Sequence, residues 1–209
     1  MLSRTFLVYI NLGSQQMAPF GYLETDTAED AVSSLELAHE FYERAQSDQR
    51  YWKWFIIAFH SGVQGIFALA LDGGSSLLVQ KPGVASAMET AFKKRAVPPR
   101  PHMDNFLKLY KKLQRRESFR TSEALPLPES RSQEEAVIDL DKLRDDFIHF
   151  NTKSWLIQHD RIRKKISECI GVVSFLVTES HSIFWREEAL LLRATEAIDL
   201  LNQRISVNS

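Results

Sequence analysis

Residues Trp52, Trp54, Phe55, Ile56, Ile57, Phe59, Val63, Ile66, Phe67, Leu69 and Leu71 occupy nearly every direction around a helix axis. A helix that is apolar on all sides must be surrounded. This one therefore predicts a central element with other helices packed around it. The segment restarts at Ser47 or Asp48, and Asp72-Gly73-Gly74 ends it with residues that tolerate left-handed backbone. Residues Trp54 to Leu71 approach membrane-spanning length, but they carry His60, Ser61, Gln64 and two glycines and lack basic flanking loops. A buried core helix is the better reading, with no membrane contact expected. Gly62 and Gly65 fit close helix packing rather than phosphate binding.

The flanking sequence supplies the neighbours. From Thr25 the pattern is helical, with Asp26 or Thr27 as cap, Glu29 and Asp30 at the positive helix start, and Val32, Leu35, Leu37, Ala38, Phe41 and Tyr42 on an apolar side. A short helix follows over about Val84 to Lys94, and Pro98-Pro99-Arg100-Pro101 breaks the chain. Met103, Phe106, Leu107, Tyr110 and Leu113 repeat at helical spacing. Residues 118–133, with Pro126 and Pro128, read as an exposed loop, and helices resume over about Ser132 to Phe150, Asp160 to Ser180 and Phe184 to Ile205. Residues 1–24 form an N-terminal arm in which Thr5 to Ile10 can make a short strand. Long helices with short connections predict an all-α fold, an antiparallel helical bundle.

The 209 residues suffice for one well-buried core, so 1–209 reads as a single domain. The lone cysteine, Cys169, lies in an apolar run and permits no disulfide within the chain. The start, Met1-Leu2-Ser3-Arg4 before Phe6 to Ile10, has one basic residue and an apolar stretch interrupted at Asn11, which is not a secretory pattern. A cytoplasmic protein is expected. Charge nearly cancels overall but is uneven: Lys93 to Arg120 holds ten basic residues against Asp104 and Glu117, and Arg161, Arg163, Lys164 and Lys165 form a second cluster. Such a side can dock a polyanion such as RNA, or can simply be a set of solvated helix faces.

Lys142-Leu143-Arg144-Asp145-Asp146-Phe147-Ile148-His149-Phe150 carries an arginine, a polar residue directly after it, and a histidine after four intervening positions. This resembles the R-x(4-6)-H signature of HEPN proteins, helical bundles of which many are metal-independent endoribonucleases in toxin-antitoxin, antiviral and RNA-processing systems. Asp145 stands where many members of the family have asparagine. The resemblance implies a 2',3'-cyclic phosphate product and an active site formed where two copies of the motif face each other across a homodimer.

The residue types suit that chemistry. Histidine titrates near neutrality and can take either proton role, while arginine stays charged and can hold non-bridging phosphate oxygens in a planar fork. Five residues at ~100° each place Arg144 and His149 ~140° apart and about 7.5 Å along the axis, so one copy does not easily close around one phosphate. Leu140, Leu143, Phe147 and Phe150 define an apolar stripe that includes Arg144 and Asn151, whereas His149 points away from it. Asp145 and His149, four apart, can pair.

The candidate catalytic residues are therefore Arg144 as phosphate anchor and His149 as acid or base, with Asp145 and Asn151 in support. Three readings stand: a HEPN-like ribonuclease or toxin; a catalytically inactive bundle that binds RNA or nucleotides or acts as an antitoxin or scaffold; and a structural interaction protein in which Arg144 is tied up in a closed ion pair. His60 and Gln64, one turn apart, read as a hydrogen-bonded core pair. His102, His159 and His181 are scattered without a carboxylate or cysteine at metal spacing, so neither a metal site nor a cofactor is predicted.

Overall fold

The computed structural model describes residues 25–119, 121–149, 156 and 158–207. Seven α-helices follow one another in these residues: α1 Thr27–Ala45, α2 Tyr51–Asp72, α3 Pro82–Lys93, α4 Phe106–Leu113, α5 Arg131–Ile148, α6 His159–Thr178 and α7 Glu188–Val207. The protein is an all-α bundle, and a single isolated bridge between Gln80 and Met103 is the only β-type pairing among the described residues. The N-terminal arm or strand expected over 1–24 lies outside the described residues.

Local chemistry explains the boundaries. Asp26 caps α1, its carboxylate accepting from the amides of Ala28 at 2.8 Å and Glu29 at 3.0 Å. α2 starts later than its sequence suggests because Asp48 closes a turn first, accepting from the amide of Arg50 at 3.0 Å through its side chain. It ends at Gly73, whose φ of 50° is left-handed backbone that glycine adopts without strain. Met103 belongs to the Gln80 bridge rather than to α4, which begins only after Asn105 caps it.

α2 sits at the centre, packed against α1, α4, α5 and α6. By length and composition it could cross a bilayer, yet Phe55, Ile56, Phe59, Val63, Ile66 and Phe67 are all buried inside the bundle. α1 and α2 run antiparallel and close together. A Cβ on Gly62 would stand 2.7 Å from Leu35 Cδ2, and one on Gly65 would stand 2.5 Å from the Cβ of Ala31. α5 and α6 are also antiparallel, with Ser132 bonded to Glu168 and Lys165 near Glu135 and Asp139. α7 returns parallel to α1: Arg186 pairs with Asp26, Arg193 with Glu29 and Glu36, and Arg204 with Glu43, both partners advancing together.

One connection is more buried than the sequence implies, and another is fastened by a lysine. Within the 118–133 segment, Ser118, Ala124 and Leu127 are buried, and Leu127 donates its amide to the carbonyl of Leu113 at 2.8 Å. Leu127 joins the main core and the amide of Leu125 donates to the carbonyl of Ser180 at 2.7 Å, so only part of this loop faces water. The link from α2 to α4 is fastened by Lys112, whose ammonium donates to the carbonyls of Leu78 at 2.9 Å and Gln80 at 2.8 Å and sits 2.9 Å from the buried Asp104 carboxylate.

Candidate functional site

α5 positions the arginine-histidine segment. Ser130 caps its start, accepting from the amide of Gln133 at 3.4 Å, and Glu134 stands in the first turn where the helix dipole favours a carboxylate. Ala136, Val137 and Leu140 are buried, and Leu143 and Phe147 pack partly buried against the core. The apolar stripe read from the sequence is therefore real over the described residues. Arg144 lies on its edge. Phe150 and Asn151 lie outside the described residues.

The edge of that stripe holds a polar network linking α2 to α5. His60 Nε2 lies 2.9 Å from Asp141 Oδ1, and Arg144 Nη2 reaches the same oxygen at 3.2 Å. Arg144 Nη1 lies 2.8 Å from Asp145 Oδ1. Exposure rises steadily outward, with side-chain values of 2% at His60, 20% at Asp141, 25% at Arg144 and 50% at Asp145. The network thus runs from the centre of the bundle to its surface.

Protonation follows from who can donate to whom. Arg144 Nη2 also stands 3.3 Å from His60 Nε2, but a guanidinium only donates. One imidazole nitrogen cannot give a proton to Asp141 and take one from Arg144 at once. The shorter contact to an ionised carboxylate is the stronger, so Nε2–H donates to Asp141 and Arg144 bonds the carboxylate rather than the ring. Burial pushes the His60 pKa down and the neighbouring Arg144 charge adds to this, outweighing the raising effect of Asp141. For Asp141, burial acts upward, but the His60 hydrogen bond and Arg144 overcome it and the net shift is down. The result is a neutral imidazole, an ionised Asp141 and a charged Arg144.

Two side-chain pairings differ from the sequence reading. The hydrogen bond that buried His60 requires runs across the bundle to Asp141, not along its own helix to Gln64. Asp145 gives its carboxylate to Arg144, not to His149. What His149 takes from Asp145 is a backbone bond, its amide donating to the Asp145 carbonyl at 2.9 Å as α5 ends. His149 is the exposed C-terminal cap of the helix, with φ −92° and ψ 77°. The structure thus brings Arg144 and Asp145 together, leaves His149 exposed at the helix end, and adds His60 and Asp141. The signal for Asp141 was present as an acid three residues before Arg144, on the same helix face.

Much of the uneven charge is satisfied within the chain. Lys93 pairs with Glu89, Lys111 with Glu134, and Arg163 with Asp160, while Arg116 donates to the carbonyls of Ala124 and Thr121. Lys94, Arg95, Arg100 and Arg115 are exposed and make no ion pair with a described residue. Among the described residues no three His, Cys, Asp or Glu side chains are grouped as metal donors. In comparison with known proteins, no family model matches this chain, and neither the curated proteins nor the solved structures give a match.

Proposed function

We propose that this chain is a HEPN-like helical bundle that cleaves RNA without a metal, as a cytoplasmic toxin-type or RNA-processing endoribonuclease working as a homodimer. The observation that carries this reading is the end of α5: Arg144 sits at the rim of the core with its guanidinium facing the carboxylates of Asp141 and Asp145, and His149 stands exposed where the helix stops. In the reaction, His149 takes the proton of a ribose 2'-hydroxyl as the 2'-oxygen attacks phosphorus. The P–O5' bond breaks, an acid protonates the departing oxygen, and a 2',3'-cyclic phosphate remains. Arg144 lies against the non-bridging oxygens and offsets charge that builds on them. The second copy of the motif supplies the partner groups that one helix cannot bring to the same phosphate. Asp145 orients Arg144 while holding back part of its charge, Asn151 supports the site, and exposed Lys94, Arg95, Arg100 and Arg115 add positive charge that favours a polyanion.

One observation favours a second reading. Both terminal nitrogens of Arg144 already face carboxylates, Asp141 at 3.2 Å and Asp145 at 2.8 Å. A guanidinium so neutralised attracts a phosphate weakly. On that reading, the one in which Arg144 is tied up in ion pairs, the bundle is catalytically silent and serves as a structural interaction protein. Incubation of the purified protein with a labelled structured RNA in chelator, beside folded Arg144→Ala and His149→Ala variants, separates the two: the ribonuclease cuts and both variants do not.

A further inference from the structure

We infer that His60 is a positioning residue, which through Asp141 fixes the guanidinium of Arg144 in the orientation that RNA meets. What this contributes to cleavage rests on the ribonuclease reading; that His60 holds Arg144 does not.

An arginine anchored only to carboxylates of its own helix is weakly fixed. Asp141 and Asp145 are three residues before and one residue after Arg144, and such partly exposed pairs are broken readily by water. His60 changes the situation because it belongs to the central helix and is 2% exposed. Its ring lies 4.1 Å from that of Phe106, which in turn stacks on Phe67 at 5.1 Å. The imidazole is thus held by packing on one side and presents Nε2–H to Asp141 on the other. A carboxylate pinned in this way has one oxygen facing both His60 and Arg144, and the arginine's freedom falls with it.

The identity of the residue matters as well as its place. The groups facing His60 are Asp141, Arg144, Asp145 and the ring of Phe106. A lysine in this position would neutralise Asp141 and repel Arg144. Neutral histidine instead orients the carboxylate while leaving its negative charge to the arginine. A purely structural core histidine would require only a hydrogen-bond acceptor; here the acceptor is the anchor of the motif arginine itself.

The test compares wild type with His60→Leu, His60→Gln and Asp141→Asn, each checked for folding by circular dichroism. Leu and Gln both lose the ring contact with Phe106, but Gln retains an N–H donor for Asp141. Side-chain nitrogen NMR of Arg144, assigned with Arg144→Lys, reads whether the guanidinium is held, because hindered rotation gives separate Nη signals. Initial rates on a labelled structured RNA give kcat and KM. His60→Leu is expected to merge the Nη signals and to lower kcat by about tenfold or more with little change in KM, and His60→Gln to recover most of both. Asp141→Asn, which keeps an acceptor for His60 but removes the charge facing Arg144, frees the guanidinium too and stands in if the leucine variant does not fold. Arg144 signals that stay separate in folded His60→Leu and Asp141→Asn overturn the inference. Signals that merge as expected in a protein that cuts no RNA sink the ribonuclease reading and leave the positioning of Arg144 by His60 standing.

Discussion

His60 Nε2 and Asp141 Oδ1, 81 positions apart in sequence, meet at 2.9 Å between α2 and α5. Burying His60 there makes stability depend on pH with a defined sign, which the contact with Asp141 moderates but does not reverse. Folding lowers the His60 pKa from its ordinary 6.5, mainly through burial, so the unfolded chain takes up this proton more readily than the folded one. The contribution is complete above about pH 6.5 and is lost as pH falls toward the folded value. Asp141, also lowered, adds a second loss only below its ordinary 3.8. Urea unfolding between pH 5 and 7.5 is expected to show stability falling on acidification, and His60→Gln to flatten the slope assigned to this histidine. An unchanged slope in that variant places the dependence elsewhere.

The α1–α2 contact is set by glycine. Gly65→Ala places a methyl 2.5 Å from the Cβ of Ala31, an atom fixed to backbone, so the helices must separate. Overpacking of about 1–3 kcal/mol is set against a ~1 kcal/mol helix-propensity gain, leaving a net loss of up to about 2 kcal/mol. Adding Ala31→Gly removes the 2.5 Å clash and leaves the residue 31 Cα at 3.0 Å as the nearest atom. Denaturant melts of the single and double variants check this, and recovery in the double variant is the expected result.

Arg193 joins α7 to α1 with four short contacts, to Glu29 at 2.9 and 2.9 Å and to Glu36 at 2.8 and 2.7 Å. Those side-chain hydrogen bonds, Glu36 first, hold its pKa above the usual value. The side chain is about one-third exposed, so solvent screening reduces what the clamp contributes. Arg193→Met is expected to cost about 1–2 kcal/mol, less in high salt. A melt at low and high salt reads both parts.

Asp145 faces Arg144 Nη1 at 2.8 Å, so on the ribonuclease reading it would compete with phosphate for that nitrogen. Asp145→Asn removes that charge and keeps a polar group. The expected result is a several-fold lower KM for RNA, on the order of what one partly exposed charge pair contributes. Kinetics at fixed salt decide it, and a higher KM would show the carboxylate helping rather than competing.

Legibility in the sequence followed the distance over which each feature is determined. The all-round apolar Trp52 to Leu71 segment and the caps at Asp26 and Gly73 are local, and the helices they announce are there. Gly62 and Gly65 were readable as packing positions because only close approach keeps two glycines in a buried helix. Loop residues Ala124 and Leu127 were not, since their burial depends on where the loop meets the ends of α4 and α6, with the amides of Leu127 and Leu125 bonded to the carbonyls of Leu113 and Ser180. At the candidate site, Arg144 was visible through its spacing to His149, and its position on an apolar stripe correctly demanded partners. The acids one and three residues from Arg144 were legible as partners on its own helix, but the link of Asp141 to His60 was not, because it forms only when α5 is laid beside α2. The parallel run of α7 along α1 likewise appears only when Arg186, Arg193 and Arg204 are seen against Asp26, Glu29, Glu36 and Glu43.

The most direct test of the central claim is the chemistry of the ends left on a labelled structured RNA after incubation with the purified protein in chelator. Fragments ending in 2',3'-cyclic phosphate from the wild type, and none from folded Arg144→Ala or His149→Ala, are the predicted result. Intact RNA with all three proteins, or cutting that persists in both variants, would contradict it.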